Sequence, residues 1–195
     1  MKNLFLTTVI LFGFNSFALS IGEEAPDFSL KGSPTDISLK SLKGKVVVLE
    51  WYNEGCPYVR KHYDAKNMQA LQKKYKDKVT WLTINSSAKG KQGFIKDISE
   101  ATSTYKREGM SSASLLRDEG GSIGMKYRAK TTPHMYIIGK EGKLLYQGAI
   151  DSTPSANQDD IKKSKNYVSM ALGQVLAGDP VKLAKTRAYG CSVKY

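Results

Sequence analysis

One stretch limits what this chain can fold into more than any other. Val46 to Leu49 is an apolar, mostly β-branched run; a polar turn ending in Gly55 follows, and Cys56 then stands directly before Pro57 and a long helical pattern. A short apolar run of this kind reads as a buried strand. Proline suits the first helical position, because the N–H it lacks would have no partner there. Cys56 is thereby predicted to be the N-cap residue. Its sulfur would meet unpaired backbone N–H groups at the positive end of the helix dipole, a setting that favours thiolate over thiol.

The two patterns alternate along the rest of the chain. Residues 21–38 read as an extended leading segment, with Ile37-Ser38-Leu39 returning as a small hairpin. The central strand covers 46–51. The segment 57–76 reads as one helix, with Val59, Tyr63, Met68, Leu71 and Tyr75 on a single face. A strand at 79–84, a loop at 85–93 and a helix from Phe94 to Lys106 follow, the last with Phe94, Ile95, Ile98, Ala101 and Tyr105 inward. Then come a strand at 114–117, a short helix at 122–127, and a hairpin of 135–138 and 143–147 about Gly139-Lys140-Glu141-Gly142. After a polar loop at 151–165, an amphipathic helix at 167–176 stops at Gly178-Asp179-Pro180, and the tail 181–195 carries Cys191. Strands alternating with helices imply parallel pairing, and the closing hairpin adds antiparallel strands. The prediction is an α/β domain with a mixed central sheet covered on both faces.

The ends and the charge add context. Met1-Lys2-Asn3 is positive, Leu4 to Phe17 is mostly apolar but short for a membrane span, and Ala18-Leu19-Ser20 offers small residues for cleavage. Residues 1–20 therefore read as a signal peptide, leaving 21–195 as an exported domain, periplasmic or secreted, without stable membrane insertion. The alternative is an uncleaved anchor. The formal charge is +12, with lysines spread along the chain. With an export signal and no aromatic–basic motif, this reads as a solvated surface rather than a nucleic-acid site. The chain has two cysteines, Cys56 and Cys191, and in an oxidising compartment they either pair or require reductant from elsewhere.

These residues resemble the thioredoxin-like fold in its peroxiredoxin-like branch, the redoxins of the alkyl hydroperoxide reductase/thiol-specific antioxidant family. The resemblance is carried by Gly22-Glu23-Glu24-Ala25-Pro26-Asp27-Phe28, by Lys43-Gly44-Lys45 before a valine-rich strand, and by Cys56-Pro57. Leu115-Leu116-Arg117-Asp118 with Gly120-Gly121 and Tyr127 adds to it, as does Thr132-Pro133 before a strand and hairpin ending Tyr146-Gln147-Gly148. It implies a three-layer α/β/α sandwich, a cis Pro133 whose loop packs on Cys56, and a Thr132 backbone that offers hydrogen bonds to an extended substrate. Two departures matter. Val59 stands where thioredoxins carry their second cysteine, so no Cys-x-x-Cys pair exists. Asn53 and Leu49 stand where peroxiredoxins place a Thr or Ser and a Pro, which removes the hydroxyl that orients peroxide.

The resemblance implies a thiol–disulfide oxidoreductase or peroxiredoxin-like antioxidant protein acting on a thiol/disulfide protein or a peroxide, with no cofactor and an electron donor the sequence does not name. Cys56 would attack and Cys191 would resolve, while Asn53, Gly55, Pro57, Thr132, Pro133 and His134 would line the groove. Other readings stand beside these. Cys56 can be a buried structural thiol, and Cys191 can be half of a permanent staple. The whole can be a non-catalytic, disulfide-stapled protein that binds an extended peptide. A metal held by Cys56 with His62 or His134 is not expected, because Arg60 occupies the position of a second cysteine ligand. His62 is expected to face solvent and His134 to lie either near the thiol or at a polar strand end. Arg60, Lys61 and Arg128 are candidates for stabilising the thiolate or for plain surface. Trp51 and Tyr52 are core aromatics or groove walls, and Trp81 is read as core.

Overall fold

The computed structural model describes residues 19–195. The expected signal segment lies almost wholly outside the described residues. Among those described, no helix is long and apolar enough to cross a membrane.

The elements run in the order β1 (Ser29–Ser33), β2 (Ile37–Ser38), β3 (Val47–Trp51), α1 (Pro57–Asp64), α2 (Asn67–Tyr75), β4 (Thr80–Asn85), α3 (Ile98–Arg107), β5 (Ser114–Arg117) and α4 (Ser122–Tyr127). They continue with β6 (Thr131–Thr132), β7 (His134–Ile138), β8 (Leu144–Gly148), α5 (Tyr167–Ala177) and β9 (Cys191–Ser192). A seven-stranded sheet has the order β2-β1-β5-β4-β3-β7-β8. β3 pairs in parallel with β4, and β4 with β5; β1, β7 and β8 join antiparallel. This is the expected mixed α/β sheet of a thioredoxin-like fold. Central strands buried on both faces need apolar side chains on both, and β3 supplies them: its five residues are all buried.

The sheet divides the core in two. On one face Val48, Tyr52, Cys56, Val59, Tyr63, Met68, Trp81 and Leu172 pack together, using residues of α1, α2, α3 and α5. On the other face Phe28, Val47, Leu49, Trp51, Ile84, Tyr127 and Tyr136 pack with α4 and the leading segment. β3 therefore sends Val48 and Glu50 towards the four-helix face and Leu49 and Trp51 towards the other, as the period of two requires.

Two helix boundaries differ from expectation. The helix read over 57–76 is two, broken where Lys66 takes a left-handed backbone conformation (φ 58°). Side chains take over the orphaned groups at the break. Gln69 Nε2 donates to Tyr63 O (3.0 Å) and Glu108 O (2.8 Å), and Asn67 Nδ2 contacts His62 Nδ1 (2.8 Å). The next helix begins at Ile98 rather than Phe94, because Asp97 caps it: its Oδ1 accepts from Glu100 N at 2.9 Å. Ile98, expected inward, is exposed.

Candidate functional site

β3 runs into a turn that Asn53 organises. Asn53 Oδ1 accepts from Gly55 N (2.9 Å), while its Nδ2 donates to Ser87 Oγ (3.1 Å) and Gln92 O (2.8 Å). Both amide hydrogens are committed and the residue is buried, so Asn53 holds the turn instead of facing an open groove. Gly55 lies under Gln92, whose Nε2 donates to Gly55 O at 3.0 Å. Cys56 is the N-cap of α1 and Pro57 its first residue, exposed at the rim. The Cys56 carbonyl accepts the first intrahelical bonds, from Val59 and Arg60.

The Cys56 sulfur meets the 132–133 loop. The Thr132–Pro133 peptide is cis, and Sγ lies 2.9 Å from Thr132 O. The thiol donates to that carbonyl. The Thr132 hydroxyl is buried with no hydrogen-bond partner among the described residues, and on ionisation it can turn towards the sulfur. Burial pushes the Cys56 thiol up, but hydrogen bonds from Thr132, from Cys191 and from the backbone N–H of Val59 outweigh it and hold it below its ordinary value. Cys56 itself has no exposed surface.

What covers it is the end of the chain. β9 pairs antiparallel with β6, placing Cys191 opposite Thr132 and Ser192 opposite Thr131. The Thr132 backbone edge, expected to receive an extended substrate, is thus occupied by the protein's own tail. Cys191 packs against the cluster that contains Cys56, and burial together with that neighbouring thiol pushes its own thiol up to about 11. Both cysteines are free thiols. Gly190 allows the approach: a Cβ there would sit 2.1 Å from Thr132 O, and its φ of +134° is one few other residues adopt.

The tail is fastened by polar anchors. Lys61 Nζ donates to Asp151 Oδ2 (3.1 Å) and Thr153 O (2.9 Å), and Tyr189 donates to the other Asp151 oxygen. Tyr195 Oη donates to Ala129 O (2.8 Å), its ring lying against Gly121 and Gly124. Val193 N donates to Lys130 O and Ala88 N to Lys194 O, tying the last residues to two loops.

Several residues sit elsewhere than expected. Lys61 is neither surface nor a thiolate partner but a buried member of this anchor. His62 is fully buried, not solvent-facing; its Nε2 lies 3.8 Å from Asp151, and burial pulls its pKa down to about 4. His134 shares with Tyr136 the face of the sheet opposite Cys56, its Nδ1 beside Lys130 N (3.2 Å) and Tyr136 Oη (3.1 Å). It is a buried strand-end residue, held neutral with a pKa near 3 by burial. Arg60 forms a two-pronged pair with Glu108 (3.0 and 2.6 Å). Trp51 faces away from the thiol, its Nε1 donating to Ser86 Oγ (3.0 Å), and Tyr52 packs edge-on against Tyr63 in the core. Arg128 ends α4 in a left-handed conformation, exposed. Among the described residues no group of three or more His, Cys, Asp or Glu is placed to hold a metal.

Sequence reasoning passed over Glu50. It is buried on the Cys56 face and accepts from Tyr63 Oη (2.7 Å), Trp81 Nε1 (2.8 Å), Gln72 Nε2 (3.1 Å) and Thr83 Oγ1 (3.4 Å). Burial dominates those bonds and raises its pKa to about 7. A glutamate inside an apolar strand run was the available signal.

The AhpC/TSA family pattern matches residues 21–147. No protein of curated function matches the sequence. Among solved structures, an uncharacterized conserved protein from Geobacillus kaustophilus is similar at 24% identity and TM-score 0.74, covering 91% of this chain and 93% of that one. A hypothetical protein from Sinorhizobium meliloti is similar at 21% identity and TM-score 0.73, covering 92% and 96%. The exposed lipoprotein thioredoxin Etrx1 of Streptococcus pneumoniae is similar at 25% identity and TM-score 0.50, covering 71% and 96%.

Proposed function

The chain belongs to the AhpC/TSA family, and from that premise we propose that it is an exported thiol–disulfide oxidoreductase in which Cys56 attacks and Cys191 resolves. One observation carries the reading: β9 seats Cys191 opposite Thr132, packed against the cluster that holds Cys56 at the start of α1. In the first step the Cys56 thiolate attacks one sulfur of a substrate disulfide, forming a mixed disulfide and expelling the other sulfur as thiolate. In the second, the Cys191 thiol loses its proton, attacks Cys56 Sγ and expels the remaining substrate thiolate. Two electrons have passed to the substrate, and the protein holds a Cys56–Cys191 disulfide. A separate dithiol must return the electrons.

The depressed Cys56 and the raised Cys191 support this division of roles. The lower-pKa sulfur is more thiolate and the better leaving group, and the higher-pKa sulfur is the stronger nucleophile once deprotonated. Peroxide is the weaker oxidant candidate, since the Asn53 amide is spent on Ser87 and Gln92. A purely peptide-binding role would need the tail to vacate the Thr132 edge.

The test is reduction of a small disulfide, bis(2-hydroxyethyl) disulfide, by the dithiol form, followed by non-reducing peptide mapping. The wild type is expected to yield a Cys56–Cys191 peptide. Cys191→Ser accumulates a mixed disulfide on Cys56, and Cys56→Ser consumes nothing. Activity persisting in Cys56→Ser overturns the reading.

A further inference from the structure

A cavity of about 410 Å3 opens along the tail segment that leads to Cys191. Arg128, Lys130 and His134 line it from the body, Lys185 and Arg187 from the tail, and Leu19, of the expected signal segment, closes one side, so export would open the cavity further. No aspartate or glutamate lines it, and none of these four cations takes part in an ion pair among the described residues. Two positive charges on the body thus share this space with two on the tail; all four side chains are exposed, so solvent screens their repulsion, but none has a counter-charge beside it.

His134 adds a donor to that space. Its Nδ1 accepts from Lys130 N–H at 3.2 Å, so in the neutral ring the only hydrogen sits on Nε2. The residue is mostly buried and borders the cavity; among the described residues Nε2 makes no hydrogen bond, and it is open to solvent rather than a buried orphan. The charged group facing it is Lys130, and no carboxylate competes for the donor. An oxyanion in the cavity would accept a hydrogen bond from that N–H in place of solvent. A second lysine-rich hollow, lined by Lys45, Lys76, Lys78 and Lys140, lacks both features: Asp77 already sits in it, and no buried histidine borders it.

We propose that this cavity binds a small molecule carrying two or more closely spaced oxyanion charges, bridging Arg128 and Lys130 of the body to Lys185 and Arg187 of the tail. The bound anion turns repulsion across the cavity into attraction and holds the tail over Cys56. The site does not depend on the redox chemistry of Cys56, so its test is separate.

Inorganic pyrophosphate titrated into the reduced full chain by calorimetry, at fixed ionic strength, is expected to bind saturably with one site. Arg128→Gln/Lys130→Gln and Lys185→Gln/Arg187→Gln should each weaken binding about tenfold or more, since each removes two charge-assisted partners. Lys76→Gln/Lys78→Gln, in the other hollow, should leave it unchanged. Saturating pyrophosphate should also slow alkylation of Cys56 by iodoacetamide. Absence of saturable binding, loss shared equally with the control pair, insensitivity to either the body or the tail pair, or an unchanged alkylation rate each overturns the proposal.

Discussion

The sheet-and-helix body and the C-terminal tail are held in place by different physics. The body is closed by apolar burial: Val48, Leu49, Trp51, Leu82, Ile84 and Leu116 have no exposed surface. The tail has no buried residue from 181 to 195. Its apolar contacts are limited to the partly buried Val181, Tyr189, Cys191 and Val193, and it is fixed chiefly by hydrogen bonds and by one buried charge pair, Lys61–Asp151, capped by Tyr189. Hydrophobic burial is non-directional and sums over the whole core, whereas a hydrogen-bonded anchor fails when one member is lost. The comparison teaches that a segment carrying a reactive group can be released while the scaffold that activates its partner stays intact.

Asp151→Asn should have the largest effect. It leaves Lys61 buried without a counter-charge, and truncating one partner of a buried pair costs about 3–5 kcal/mol. Leu82→Ala in the body should cost a similar amount, about 2–5 kcal/mol. Both would lower the urea midpoint, but only Asp151→Asn should speed iodoacetamide alkylation of Cys56 under native conditions. Equal alkylation rates in the two variants would break the comparison.

Acid should come next, and it acts on both regions. His62 beside the anchor and His134 in the body have folded pKa values near 4 and 3, below the ordinary 6.5. Between those values and 6.5 the unfolded chain binds more protons, so their contribution to stability rises with pH through that window. Glu50, raised from 4.5 to about 7, acts oppositely: its contribution falls as pH rises from 4.5 to 7. Two histidines outweigh one glutamate, giving a net gain on the order of 3 kcal/mol from pH 4 to 6.5, followed by a plateau near pH 7. Urea midpoints measured across pH 4–8 would show this shape. A monotonic rise through pH 7.5 would mean that Glu50 ionises normally.

Tyr189→Phe is the smallest change. It removes one hydrogen bond to Asp151 and leaves the Lys61 pair, at a cost of about 1 kcal/mol. Global unfolding should barely move, while Cys56 alkylation quickens several-fold, the factor about 1 kcal/mol represents. If the unfolding midpoint shifts and alkylation does not, Tyr189 belongs to the body after all.

Much of the body was readable from the sequence, because its signals are local. The valine run, the Cys56-Pro57 junction and the Thr132-Pro133 pair each announce an element within a few residues. The tail's place was not readable. Lys61, Asp151 and Tyr189 meet across long separations, and each looks like an ordinary surface residue until the chain folds. Expecting His62 in solvent failed for the same reason. The break at Lys66 was hidden because no glycine or proline marks it; the capping side chains Asn67 and Gln69 make it possible. Glu50 was within reach, since a lone carboxylate in a buried strand demands donors, but the donors come from four other positions.

Gly190 sets a tolerance of one carbon atom. A methyl group at that position would press on the Thr132 carbonyl, so an alanine variant has no seated position for its final strand. Such a variant would be a natural bait: its sulfur stands uncovered without any change to the junction that activates it, ready to keep hold of whatever physiological molecule first reacts with it.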